Sequence, residues 1–167
     1  MAEGLQETYP QPDSDLVRYR TSKDAGVKTV LFVCTGNAFR SQIAEGLVNR
    51  YLKGQWAAFS AGLLPAAIPD ALVEVMAEQG IDIKSHRPKQ LDVFAGCCFD
   101  KVFILSAHVS RICPELSGYG KTEVLCFPDP LTTAGYAEGW CIGIKPALRS
   151  LRDSMKKTLL PVMKCPT

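Results

Sequence analysis

The chain has 167 residues, 47% hydrophobic and 22% charged, which fits one globular domain with a sizeable core and excludes disorder or fibrous structure for most of its length. Nineteen Lys and Arg against seventeen Asp and Glu leave a formal charge of +2, too balanced for the broad field of a nucleic-acid binder, so any cationic function must be local. MAEGLQETYPQPDSD is too acidic and polar for an export signal, no apolar run is long enough to span a bilayer, and neither Ala2 nor the position of Cys165 suits a lipid anchor; a cytoplasmic protein with no membrane or nucleic-acid partner is expected.

Residues 1–26 carry Pro, Gln, Asp and Ser without apolar periodicity and are expected to form a mobile or loosely docked extension, leaving residues 27–167 as the α/β domain. The domain opens with VKTVLFVC, a β-branched and aromatic run of the kind buried on both faces of a parallel sheet. That run stops at Thr35, Gly36 and Asn37, and SQIAEGLVNRYLKG then places Ile43, Leu47, Val48, Tyr51 and Leu52 on one helical face, with Gly54 as its stop signal. WAAFS reads as a second strand, and PDALVEVMAEQG as a helix with Pro69 near its start and Gly80 past its end. KVFILS and TEVLCF read as the third and fourth strands. KPALRSLRDSMKKTLL reads as a closing helix with Leu148, Leu151, Met155 and Leu159 inward and a solvated basic face. Four strands alternating with helices predict a doubly wound α/β fold, a four-stranded parallel sheet with helices on both faces and functional loops at the carboxyl ends of its strands.

The first of those loops is CTGNAFRS. A short loop that wraps back to a helix N-terminus turns successive backbone N–H groups into one hollow, where they and the helix dipole favour a tetrahedral oxyanion. The residues expected to form this hollow are Thr35, Gly36, Asn37, Ala38, Phe39, Arg40 and Ser41, with Gly36 and Asn37 easing the turn because both tolerate backbone angles that other residues resist. Cys34, at the end of the strand, would there be stabilised as a thiolate by the amides, by Arg40 and by Ser41, and so act as a nucleophile. The planar fork of Arg40 can hold two oxygens of the anion at once and tighten on the transition state.

Seven cysteines cannot complete an internal disulfide framework, so the thiols should be mostly reduced. No pair has zinc-ribbon spacing, and adjacent Cys97 and Cys98 do not suit a shared tetrahedral site, so neither a metal nor a cofactor is expected. Cys97, Cys98, Cys126 and Cys141 read as packing or incidental thiols, and His86 and His108 as hydrogen-bonding residues rather than catalytic bases.

VLFVCTGNAFRSQIAEG, followed by FSAG, GIDIKSHRPKQL and FPDP, resembles the low-molecular-weight protein tyrosine phosphatases and the arsenate reductases built on the same fold, from about Val27 to Asp153. The resemblance implies Cys34 as nucleophile, Arg40 as oxyanion clamp and Asp129 of the Asp-Pro motif as general acid, protonating the leaving group and later activating water. It also implies a phosphorylated protein or a small oxyanion as substrate.

The two branches differ in thiols. In the thioredoxin-coupled reductases two further cysteines lie seven apart after the third strand, where this chain has Ser106 and Cys113; an internal relay looks broken, and a reductase would need thioredoxin or a small thiol as external partner. Tyrosine-specific phosphatases usually follow Asp-Pro with aromatic residues, where this chain has Leu131 and Thr132. Phe39 stands where both branches commonly place a second cysteine, and could line the mouth. Gln42 is reductase-like; His86, Arg87 and Gln90 are phosphatase-like. LTTAGYAEGWCIG reads as a flap in which Tyr136 or Trp140 could supply an aromatic wall. Some reductases hold potassium beneath the loop with an Asn, a Glu, a Ser and an Asp; Asn37, Glu45 and Ser60 match, and Lys89 at the Asp position is expected to replace the ion by pairing with Glu45. The leading expectation is a cysteine-dependent phosphatase acting on phosphotyrosine-like esters through a phospho-cysteine intermediate; the alternative is an arsenate reductase with an external thiol partner.

Overall fold

A computed structural model describes residues 13–113, 116, 118–134 and 140–165. Four parallel strands, β1 (Lys28–Cys34), β2 (Trp56–Gly62), β3 (Phe99–Ile104) and β4 (Gly120–Val124), form one sheet in the order β2-β1-β3-β4. Around it lie α1 (Ser14–Asp24), α2 (Arg40–Tyr51), α3 (Asp70–Ala77), α4 (Ala107–Ile112), α5 (Pro130–Ala134) and α6 (Trp140–Lys164), with a 3₁₀ turn at Leu91–Phe94. No helix among the described residues is long and apolar enough to cross a membrane.

The side chains of β1 divide between two cores, as the two-residue period of a strand requires. Val30, Phe32 and Cys34 pack with Ile43 and Leu47 of α2, Leu72 and Met76 of α3, and Leu148, Leu151, Met155 and Leu159 of α6. Leu31 and Val33 pack on the other face with Phe59, Phe94, Phe99 and Val109, which come from β2, the 3₁₀ turn, β3 and α4. Both faces are therefore covered, and the apolar run of β1 is buried from Thr29 onward.

The chain leaves β1 toward β2 on one side and then crosses back to β3 on the other. Connections from adjacent strands diverge at such a point and leave a crevice beyond the carboxyl ends. Cys34 ends β1 there, Ser106 follows β3, and Asp129 follows β4.

Two sequence expectations need correction. The expected extension over residues 1–26 is, in its described part, a capped helix: Asp13 Oδ1 accepts from Asp15 N at 2.9 Å, and α1 runs to Asp24 and lies against β1 and β2. It has no fully buried residue and no apolar stripe; only Leu16 and Tyr19 pack against the core and the rest of its docking is polar, which is why periodicity missed it. The basic stretch of α6 is not wholly solvated either. Arg152 is buried, donating to Val75 O at 2.8 Å and to Glu78 Oε2 at 3.0 Å; hydrogen bonds from Arg149 first and Arg152 second draw the Glu78 carboxyl pKa down to about 2.

The loop after Cys34 is clamped against β2 at Gly62, where a Cβ would stand 2.7 Å from Asn37 N and 2.9 Å from Thr35 O. Both neighbours are backbone, so an added methyl must displace the loop itself. Gly62→Ala is expected to destabilise the chain by about 1–3 kcal/mol, read as a drop of several degrees in a thermal melt.

Candidate active site

Phe39 caps α2 without a side-chain hydrogen bond to its first turn, so the helix opens toward the loop with backbone N–H groups that have no intrahelical acceptor. Asn37 holds the turn at φ +48°, the left-handed region, as the sole non-glycine residue with positive φ among those described. Its fully buried side chain fixes that conformation: Nδ2 donates to Ser41 Oγ at 2.8 Å, while Oδ1 accepts from Lys89 N at 2.8 Å and Gln42 Nε2 at 3.1 Å. Gln42 Nε2 also reaches Asn37 O at 3.0 Å. The outer edge is tied by Leu63 N and Leu64 N to Thr35 O, and by Ala66 N to Gly36 O, each at 2.9 Å. Gly36 has no positive φ, and a Cβ there would meet only ordinary contacts at 3.7 Å, so the left-handed turn rests on Asn37 alone.

Cys34 is 2% exposed, with Sγ 2.9 Å from Ser41 Oγ. Ser41 already accepts from Asn37, which leaves its own proton to point at the sulfur, an arrangement that suits a sulfur carrying negative charge. Arg40 is 7% exposed; Nη1 donates to Phe127 O and Nη2 to Asp129 Oδ2, both at 3.3 Å. Contacts of that length are weak and readily exchanged for a better acceptor. Asp129 is half-buried, and its other oxygen accepts from Leu131 N at 2.9 Å. The three residues expected to do the chemistry thus gather at one end of the sheet. Ala38 is buried, whereas Phe39 packs partly against the α2–α6 core. Tyr136 lies outside the described residues, as does the side chain of Trp140.

Beneath the loop, Glu45 is 2% exposed and accepts a hydrogen bond from Ser60 Oγ. Its nearest cation is Arg18 of α1, whose Nη2 donates to Oε1 at 2.9 Å. Lys89 Nζ stands 3.9 Å from Oε2, 3.6 Å from Asp15 Oδ2 and 3.1 Å from Arg87 O. The expected Lys89 and Glu45 pair is present, though longer than the one Arg18 makes. Two fixed cations on one carboxylate do not fit an additional alkali ion, which would be repelled by both.

Sequence reasoning missed Arg18, Asp13 and Asp15, whose contacts with Glu45, Arg87 and Lys89 are long-range, and it gave Ser106 no role in the loop. Ser106 is 1% exposed, with Oγ 3.1 Å from Thr35 Oγ1, so the position after β3 braces the loop with a hydroxyl. His86 Nδ1 lies 2.9 Å from Gln42 Oε1. Because Gln42 Nε2 is occupied as a donor, His86 carries its proton on Nδ1.

Burial holds the His86 imidazole below its ordinary range; Glu45 and Asp15 oppose this, and Lys89 and Arg18 add to it. Unfolded, the ring takes its proton near 6.5, so the unfolded chain binds more protons as pH falls below that value and stability, full above it, is lost on acidification. The melting temperature should fall between about pH 7 and about pH 5.5, and His86→Asn, which keeps a donor to Gln42, should lessen that slope. Replacing choline by potassium at fixed ionic strength should leave activity unchanged within about twofold; strong activation would mean that Arg18 and Lys89 leave the carboxylate open.

Residues 29–138 match the family model described as low molecular weight phosphotyrosine protein phosphatase. An arsenate reductase of Halalkalibacterium halodurans is 32% identical over 133 residues, covering 79% of this chain and 92% of its own. Among solved structures, an arsenate reductase in the phosphate binding state superposes with a TM-score of 0.67 at 26% identity, over 82% of this chain and 97% of its own. A low molecular weight protein tyrosine phosphatase from T. tengcongensis does so with a TM-score of 0.53 at 30% identity, over 78% and 98%. The chain belongs to the low molecular weight phosphotyrosine protein phosphatase family, whose fold phosphatases and arsenate reductases share.

Proposed function

We propose that Cys34 is the nucleophile of an oxyanion-processing enzyme and that its reaction is arsenate reduction completed by a thiol from outside the chain. The observation that carries the site is the Cys34 sulfur, 2.9 Å from Ser41 Oγ at the open N-terminus of α2, with Arg40 and Asp129 gathered beside the loop. The reductase reading, second in the sequence analysis, is supported by the named activity of relatives that span most of this chain.

The incoming tetrahedral anion replaces Asp129 on the Arg40 fork and binds the amides of the loop. Cys34 attacks arsenic, an oxygen leaves as water, and Asp129, released from Arg40, delivers the proton to it. A second thiolate then attacks the Cys34 sulfur. Its electron pair forms the new S–S bond while the S–As electrons pass to arsenic, so arsenic(V) leaves as arsenic(III) arsenite. A further thiol reduces the mixed disulfide, and in balance two thiols become one disulfide for each arsenate reduced. The second thiol is external because the residue bracing the loop after β3 is Ser106, a hydroxyl that cannot take part in disulfide exchange.

The second reading, hydrolysis of phosphate esters through a phospho-cysteine, is favoured by Asp129 at 3.3 Å from Arg40, where a carboxyl can protonate an ester oxygen and then activate water.

Purified chain supplied with arsenate and either a thioredoxin system or a glutathione-type thiol is expected to release arsenite with two thiols consumed per turnover. Cys34→Ser should lower the rate by at least about 10³-fold. Cys113→Ser should leave turnover with the external thiol intact, and its loss would make Cys113 an internal resolving thiol. Turnover of an aryl phosphate without arsenite release, falling about 10²- to 10⁴-fold in Asp129→Asn, would replace this reading by the second.

A further inference from the structure

We propose that α1 is a strap that sets the oxyanion loop, with Arg18 as a positioning residue acting through Glu45. The inference rests on the loop being an anion site, whichever reaction it serves. Arg18 is held four ways: Nη2 donates to Glu45 Oε1 at 2.9 Å and to Asp15 Oδ1 at 3.2 Å, Nη1 donates to Ala58 O at 2.8 Å, and the guanidinium lies over the Phe59 ring at 3.9 Å. Ahead of it, Asp13 and Asp15 pair with Arg87, and Asp15 also faces Lys89. Behind it, the Tyr19 hydroxyl donates to Cys98 O at 2.8 Å and accepts from Cys98 N at 2.9 Å, and Lys23 pairs with Asp100 at 3.2 Å. The strap is thus fastened at both ends with Arg18 between.

What it grips leads to the loop in short steps. Glu45 lies in α2, the helix whose N-terminus forms the hollow, and accepts from Ser60 of β2. Lys89, drawn by Glu45 and Asp15, donates its backbone N–H to Asn37 Oδ1 at 2.8 Å, and its carbonyl accepts from Gly62 N at 2.9 Å. Asn37 carries the left-handed turn and donates to Ser41, which contacts Cys34. A buried carboxylate without its nearest counter-charge is costly and draws in water or the neighbouring ammonium. Removing Arg18 therefore pulls Lys89 toward Glu45 and disturbs the backbone N–H that holds Asn37. A groove of about 900 Å³, lined by Asp15, Arg18, Glu45, His86, Arg87 and Lys89 among others, runs beside α1, so water has a path to the carboxylate once the guanidinium is gone.

The test is inorganic phosphate binding to the full, reduced chain, followed by calorimetry and by backbone amide shifts in NMR. Arg18→Met keeps an unbranched apolar side chain and removes the guanidinium with its charge; it should weaken phosphate about tenfold and shift the Asn37 and Ser41 amides. Arg18→Lys should restore affinity to within about threefold of the parent. In a Glu45→Gln background, where the buried carboxylate beneath the loop is gone and the remaining neighbour of residue 18, Asp15, still faces Arg87 and Lys89, Arg18→Met should change affinity by less than about twofold. The strap is overturned if Arg18→Met binds phosphate as the parent does with unmoved amides, or if its loss is equal in both backgrounds, which would mark a merely structural helix. Should Arg18→Met fail to fold, Arg18→Gln decides by the same criteria. A parent chain that does not bind phosphate at all would instead sink the oxyanion reading and the strap with it.

Discussion

The constraint on which the site depends is a change of direction: the chain must pass from a buried parallel strand into a helix within five residues. One residue, Asn37, takes the left-handed conformation this requires. Asparagine tolerates that region better than most residues but still at some cost, and such a conformation persists when the surroundings over-determine it. Here they do, through Ser41, Gln42 and the backbone of Lys89. The hollow is a backbone shape stabilised from below, and its neighbours matter as much as its own residues.

That dependence explains what the sequence could and could not reveal. The strand Lys28–Cys34 and the helix after it were legible because burial imposes a period on apolar residues, and a period survives in a single sequence. Cys34, Arg40 and Asp129 were singled out because their types and order fit one chemistry, and the structure gathers them at one end of the sheet, with their roles left to the proposed function. Helix α1 was not, since it is held by charges and a tyrosine whose partners lie 27 to 79 residues away. No local pattern records such partners. Gly36 erred in the other direction: a glycine beside an asparagine suggests two permissive positions, yet only Asn37 uses the permission. Ser106 was noted for the cysteine it replaces, whereas its contact with Thr35 could be seen only once β3 lay beside β1.

The two reactions proposed for such a hollow begin alike, with a sulfur nucleophile on a tetrahedral centre and negative charge collecting on its oxygens. They part at the second step, where an ester hydrolase needs activated water and a reductase needs an electron-rich thiol. On the proposed reading, the difference lies in what can approach an adduct on Cys34. Ser106 beside Thr35 removes one nearby candidate thiol without disturbing the hollow, since serine and cysteine differ little in size and the hydroxyl makes the stronger hydrogen bond.

The carboxylate beneath the loop shows why fixed cations change the behaviour of such a site. Glu45 is almost wholly buried, and a buried carboxylate needs positive charge nearby. An exchangeable ion would make loop order follow the ion's concentration by mass action. Arg18 and Lys89 are supplied instead by the chain, at an effective concentration set by the fold rather than by the medium. The dependence moves accordingly, from the composition of the solvent to the attachment of α1. On the proposed strap, a change in charge on Asp13, Asp15 or Arg87 would be felt at the hollow through α1, which buries none of its residues fully.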